Sequence, residues 1–257
     1  CSLFVNQNVL LFMRGCISVS PDRIEIEFDT RFLHKFGAMQ PSDLQHGIGP
    51  RIRRFFRSLS EDLAKGKLSL ATEMPVLGLV AFSYPTAWLM IADLWRESGE
   101  PSALDEVKSA LTRYLEMTPP SGDQRVAWER IASIEREQSN WLGFVNTQVH
   151  IAELPGADIS TVSAAVNTFN SVRKQLDTDP EARRAIAKRL AAVMEPKIMH
   201  GDATDCSRLA WVLIQSGRVE RALEIIDCGL RIEPTNEHCL NLKEKFGAGS
   251  QMHLLDY

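Results

Sequence analysis

The sequence predicts an all-α protein built from pairs of helices, with a small β element at its N-terminus. Apolar residues recur at i, i+3 and i+4 through most of the chain after residue 40, and the helical stretches end at Gly or Pro. Before that point Ile24, Ile26 and Phe28 alternate with acidic residues, a pattern typical of a half-buried strand. The 257 residues are therefore divided into four parts. Residues 1–40 form a β-containing segment and residues 41–84 form linking helices. Residues 85–246 form paired helices with a C-terminal capping helix, and residues 247–257 form a frayed tail.

The β-containing segment opens the chain. Pro21-Asp22 is a turn signal, and residues 17–20 could pair with the following strand as a hairpin. A hairpin of this size is not stable alone. We expect it to pack on the first helices or to belong to a preceding domain. Because the chain begins with Cys1 rather than Met, we interpret it as a fragment or as one end of a longer protein.

The linking helices contain a basic segment, Arg51–Arg57, that has two interpretations. Its arginines could hold phosphates while Phe55 and Phe56 stack on bases, which would make it a nucleic-acid-binding element. Alternatively, the phenylalanines belong to the buried stripe of an amphipathic helix, and the arginines form its solvated face. The i, i+3, i+4 spacing favours the second interpretation, and nucleic-acid binding stays open as an alternative function.

The paired helices follow in order. The first pair runs from Trp88 to Pro119 with Gly99 at its turn, and the second runs from Trp128 to Leu154 with its turn at Ser139-Asn140. Residues 159–176 and 180–199 form the third pair. There Asp179 caps the second helix and a proline follows directly inside it. A fourth pair spans residues 207–236, and residues 237–246 form the capping helix.

The fourth pair carries a family resemblance. Its small Ala210, its Gly217, its Ala222 and its closing Pro234 resemble a tetratricopeptide repeat, which spans about 34 residues and begins W-x2-L-G-x2-Y. Ala210 stands where that pattern has Gly, and Leu213 where it has Tyr. Ala92 and Ala132 hold the same place in the first and second pairs, and we expect all three small residues to be buried where the paired helices cross and approach closely. The resemblance implies a tetratricopeptide-like α-α superhelix whose concave face, lined by the first helix of each pair, binds a protein partner.

A longer segment, residues 201–239, is similar to the C-terminal helical-repeat regions of large bacterial multidomain proteins. These include signal-transducing NTPases with sensor repeats, some of which act in anti-phage defence. The similarity implies a sensor or scaffold role for the chain. Its partner would be another protein or another domain of the same polypeptide, and any catalytic domain would lie outside this chain.

The repeat alignment also predicts the binding residues. The Lys and Asn side chains with which some repeat proteins grip chaperone tails are absent at the matching positions, so a free acidic C-terminal tail is a poor candidate ligand. Trp211 is the only large aromatic residue of the predicted set. It is either the binding anchor or a residue packed on the preceding helix pair. The residues expected to point into or border the concave face have mixed charges: Asp93, Arg96, Glu97, Glu129, Arg136, Glu137, Trp211 and Gln215.

Composition and motifs indicate binding rather than catalysis. The net charge of −4 gives no overall attraction to nucleic acid or to an anionic membrane, and no apolar run is long enough to span a bilayer. No phosphate-binding, dinucleotide-binding, metalloprotease or nucleophile-elbow motif is present. The five cysteines are odd in number and widely spaced, which predicts reduced thiols, no metal and a cytoplasmic location. We also expect no cofactor. An enzyme whose site is assembled from distant residues remains a second alternative.

Overall fold

A computed structural model describes residues 15–20, 23–28, 49–67, 69–83 and 85–247. Over these residues the chain is predominantly helical, and neighbouring helices pack in pairs, as the sequence predicts. None of the helices within them is both long and apolar enough to cross a lipid bilayer. The rest of the predicted N-terminal segment and the predicted frayed tail beyond residue 247 lie outside the described residues.

Two strands precede the helices. Strand β1 (Gly15–Ser20) pairs antiparallel with strand β2 (Arg23–Phe28), in a register that places Ile17 opposite Ile26. The predicted turn residues at positions 21 and 22 lie outside the described part of the chain.

The helices follow one another with short connections. The linking region forms α1 (Gly49–Ala64) and α2 (Leu70–Ser83). The paired region forms α3 (Ala87–Ser98), α4 (Ala103–Glu116), α5 (Ser121–Glu137), α6 (Trp141–Glu153), α7 (Ile159–Ser171), α8 (Pro180–Met194), α9 (Ala203–Gln215) and α10 (Val219–Ile232), and it ends with α11 (Glu237–Phe246).

The chain divides into two compact units, Cys1–Pro119 and Pro120–Tyr257, here called unit 1 and unit 2. In unit 1 the core includes the fully buried Ile91 of α3 and Leu111 of α4. In unit 2 one continuous apolar core joins residues of α6 through α11. The boundary between the units falls within the region predicted as paired helices.

The two helices of a pair run antiparallel. In unit 1 the guanidinium of Arg113, late in α4, lies 5.1 Å from the ring centroid of Trp88, early in α3. In unit 2 a Cβ on Gly229, late in α10, would lie 2.9 Å from the Cβ of Cys206, early in α9. Because each contact joins the start of one helix to the end of the next, the two helices must run in opposite directions.

Small residues lie where the sequence predicts that paired helices cross. Ala92, Ala132 and Ala210 are 0%, 3% and 0% exposed, which confirms that each is buried. Gly229 permits a closer approach, because a Cβ there would come within 2.7 Å of the Cys239 sulfur.

Several predicted helix ends are present. Gly99 and Gly217 adopt left-handed backbone angles, with φ of 66° and 87°, which glycine reaches without strain. The Asp179 carboxylate caps α8 by accepting a 2.9 Å hydrogen bond from the backbone N–H of Ala182. The capping helix α11 starts and ends at the residues predicted for it.

The third pair is shorter than predicted. Helix α7 ends at Ser171 instead of Leu176, and α8 ends at Met194 instead of Met199. Short 3-10 segments, Arg173–Leu176 and Glu195–His200, follow the two helices. The second segment contains Pro196, which lacks the N–H that would continue the α-helical hydrogen bonds.

Candidate functional site

A cavity of about 290 Å³ lies in unit 2 between α7, α9 and α11. Helices α7 and α9 are each the first helix of a pair, and α11 is the helix that follows the last pair. The cavity is lined by Val166, Asn167, Asn170, Thr204, Ser207, Arg208, Trp211, His238, Asn241 and Leu242. We call it the Trp211 groove.

Helical spacing places these residues on one face of each helix. On α9 the lining residues Thr204, Ser207, Arg208 and Trp211 are spaced i, i+3, i+4 and i+7. The intervening Leu209 is fully buried in the core of unit 2. One face of α9 therefore holds the fold together while the adjacent face lines the groove.

Trp211 has a defined position in the groove. It is half-buried, and its ring lies 5.3 Å from the ring of Phe169 on α7, at an interplanar angle of 59°. Phe169 is fully buried. Trp211 therefore packs on the preceding helix pair and also lines the cavity, and its role as a binding anchor stays a prediction.

Arg208 lies one turn before Trp211, and neighbouring side chains hold its guanidinium. Its Nε donates a 3.1 Å hydrogen bond to Oδ1 of Asn167 on α7, and its Nη1 donates a 2.9 Å bond to Oδ1 of Asp205. The arginine side chain is 29% exposed. This geometry links α7 and α9 and fixes the orientation of Arg208 beside the cavity.

Asp205 supports this arrangement from within the fold. Its carboxylate accepts a 2.6 Å hydrogen bond from the Ser163 hydroxyl and a 3.3 Å bond from the backbone N–H of Asp202. Asp202 in turn accepts a 2.8 Å bond from the Asp205 backbone N–H, so the two aspartates form a capping box at the start of α9. One carboxylate thus serves the helix start, the contact with α7 and the guanidinium of Arg208.

The other predicted binding residues of unit 2 lie elsewhere. The lining of the Trp211 groove includes Trp211 and none of the other seven predicted residues. Glu129 is exposed on α5 and pairs with Arg125 at 2.9 Å. Arg136 and Glu137 are also exposed on α5, and Gln215 is half-buried one turn after Trp211.

The three predicted residues of unit 1 lie on α3, and all of them are exposed. Asp93 and Glu97 line a cleft of about 300 Å³ together with Arg53 and Arg57 of α1. Glu97 also accepts a 2.6 Å hydrogen bond from the Ser60 hydroxyl. Carboxylates therefore share this cleft with two arginines of the basic segment, and they would repel a phosphate backbone at that position.

The sequence interpretation missed most of the groove, including Arg208, Asn167 and Asn241. Arg208 could have been found, because it lies three residues before Trp211 on the same helical face. Asn167 and Asn241 come from other helices, and nothing in the sequence pattern connects them with Trp211.

Neither metal chemistry nor relatives assign a role to this site. In the described ranges, no group of three or more His, Cys, Asp or Glu side chains is arranged to hold a metal ion. The sequence matches no protein-family model and no curated protein.

Proposed function

We propose that the chain is a protein-interaction module, with helix pairs of the tetratricopeptide type, whose Trp211 groove binds an extended segment of a partner protein. The observation that carries the proposal is a half-buried Trp211, supported by Phe169 and surrounded by amide side chains in a groove formed by three helices. The proposed role is that of a sensor or scaffold, and the chain itself carries out no catalysis.

The chemistry of the lining suits a peptide. The groove combines apolar surface from Val166, Trp211 and Leu242 with side-chain amides from three asparagines. An amide carries donors and an acceptor, as the peptide bond does, so it can bond to the main chain of an extended ligand. A half-buried tryptophan can supply much of the binding free energy, as aromatic anchors commonly do.

The proposal is tested by selecting ligands from a displayed library of random dodecapeptides against the whole chain. Recovered peptides are then titrated calorimetrically against the wild type, Trp211→Ala and Trp141→Ala. Trp141 is the matched control, because it is another half-buried tryptophan of unit 2 and does not line the groove.

We expect Trp211→Ala to cost the peptide about 2 kcal/mol or more of binding free energy, whereas Trp141→Ala leaves binding close to that of the wild type. The proposal would be contradicted if the chain recovered no more peptide from the library than a support that carries no protein. Equal losses for the two variants would contradict it as well. Thermal unfolding of both variants shows whether any loss of binding reflects loss of the fold.

A further inference from the structure

The hydrogen bonds around Arg208 restrict which ligand the Trp211 groove can take. Among the described residues that line the groove, Arg208 is the one with a permanent charge, and none of them is an aspartate or a glutamate. Its charge is already offset by Asp205, whose carboxylate oxygen lies 2.9 Å from Nη1. The charges of Arg208 and Asp205 therefore nearly cancel at the edge of the groove.

Two of the five N–H groups of the guanidinium are already used. Nε donates to Asn167 and Nη1 donates to Asp205, so across the described residues Nη2 is the guanidinium nitrogen that has no acceptor. Carboxylates and phosphates typically bind arginine through two parallel hydrogen bonds to a free, charged fork. Because Asp205 already offsets its charge and Nε is engaged by Asn167, the guanidinium is better suited to a neutral carbonyl oxygen than to a second carboxylate.

Two further donors lie beside Nη2. Because Oδ1 of Asn167 accepts from Arg208, the amide of Asn167 is left with its Nδ2 as a donor. The indole N–H of Trp211 can only donate. Neither nitrogen has an acceptor in the part of the chain that the structure describes. The groove thus presents three donor nitrogens around Arg208 and Trp211.

Next to these three donors a ligand should supply carbonyl oxygens rather than N–H groups, while the amide oxygens of Asn170 and Asn241 can accept from N–H groups farther along the ligand. Proline is the residue that has a backbone carbonyl and no backbone N–H. Proline-rich segments also adopt an extended conformation in advance, which lowers the entropy lost on binding, and they dock in aromatic grooves. Arg208 and Trp211 are about 4.5 Å apart along the axis of α9, which corresponds to between one and two residues of such a segment.

We propose that the Trp211 groove binds an uncharged, proline-containing extended segment. A proline ring packs against Trp211, and neighbouring carbonyl oxygens accept hydrogen bonds from Arg208 and Asn167. This inference rests on the proposed function of the groove and adds the chemical class of the ligand.

The selected dodecapeptides test the inference separately from the proposed function. Among peptides whose binding depends on Trp211, we expect enrichment of proline without enrichment of Asp or Glu. Replacing the proline by alanine should weaken binding about tenfold, and raising the salt concentration should change affinity by less than about twofold. Trp211-dependent peptides that are acidic, or that tolerate the loss of proline, would overturn the inference while the proposed function stands. If no peptide is recovered whose binding depends on Trp211, the proposed function itself is contradicted, and the inference about proline is contradicted with it.

A charge variant gives a second test. Asp205→Asn removes the carboxylate that offsets Arg208, so a peptide carrying Glu in place of Gln beside the proline should bind this variant about tenfold more tightly than it binds the wild type. Asp202→Asn is the matched control, because it removes a charge from the same turn and asparagine is an equally good helix cap. An equal gain in both variants, or no gain in Asp205→Asn, contradicts the role assigned to the Asp205–Arg208 pair. If Asp205→Asn does not fold, the proline-to-alanine comparison on the wild type still decides.

Discussion

The rings of Trp128 and His150 are stacked, with centroids 4.6 Å apart and planes 10° from parallel. Trp128 lies nine residues before the end of α5 and His150 nine residues after the start of α6, so the contact shows that this pair is antiparallel too. Arg189 of α8 also reaches this position and donates hydrogen bonds of 2.8 and 2.6 Å to the carboxylate of Glu153. The histidine is thus placed between an aromatic ring and an ion pair.

This environment predicts a pH-dependent stability. Burial, followed by the positive charge of Arg189, lowers the pKa of His150 below its ordinary value of 6.5, and Glu153 opposes the shift. Since the folded pKa lies below the unfolded one, the stabilisation is present above about pH 6.5 and is lost as the pH falls through the folded pKa. Urea unfolding at about pH 7.5 and about pH 5.5 should show a larger loss of stability for the wild type than for His150→Gln. Equal losses in the two proteins would show that His150 makes no such contribution.

The crossing of α9 and α10 should not tolerate a larger residue at position 210. Ala210 is fully buried, and Ala210→Leu should reduce the free energy of unfolding by roughly 1–3 kcal/mol through overpacking. Ala192→Leu on the exposed face of α8 is the control and should change stability by less than about 0.5 kcal/mol. Chemical denaturation measures both variants. A stable Ala210→Leu protein would mean that the helices can separate at this crossing without cost.

Two helical glycines should respond to alanine in opposite ways. A Cβ at Gly229 would lie 2.7 Å from the Cys239 sulfur, whereas a Cβ at Gly122 would meet nothing within 4 Å. We expect Gly229→Ala to destabilise the fold by about 1–3 kcal/mol. Gly122→Ala should stabilise it by about 0.5–1 kcal/mol, because alanine loses less backbone entropy in a helix. Thermal unfolding of the two variants compares them directly, and the same sign of change in both would contradict the packing described at Gly229.

The buried thiols of unit 2 should be unreactive. Burial, together with the nearby thiols of Cys228 and Cys239, raises the pKa of Cys206 to about 12, and burial raises the pKa of Cys239 as well. Since the thiolate is the nucleophile, iodoacetamide near pH 8 should leave both residues unmodified in the folded chain and should alkylate both in urea. Peptide mass spectrometry reads the labelling, and native mass spectrometry tests whether a metal or a disulfide is present. Rapid alkylation of the folded chain at either position would contradict the burial.

The sequence predicts the helix pairs well because their signals are local. Gly99 and Gly217 supply the left-handed residues that end two helices, and Asp179 caps the start of α8. The groove is harder to predict, because its defining hydrogen bond joins Arg208 to Asn167 across 41 residues. Apolar periodicity identifies which face of α9 is buried but does not identify the polar residues of α7 that lie opposite its other face.

The Asp205 carboxylate couples local fraying of α9 to the binding surface. If the first turn of α9 unwinds, the Asp205 carboxylate leaves both the Ser163 hydroxyl and the guanidinium of Arg208, which then keeps its hydrogen bond to Asn167. A ligand that requires an ordered Arg208 therefore binds the wound form preferentially, and its binding free energy opposes the opening. Amide hydrogens in the first turn of α9 should then exchange with solvent more slowly in the complex.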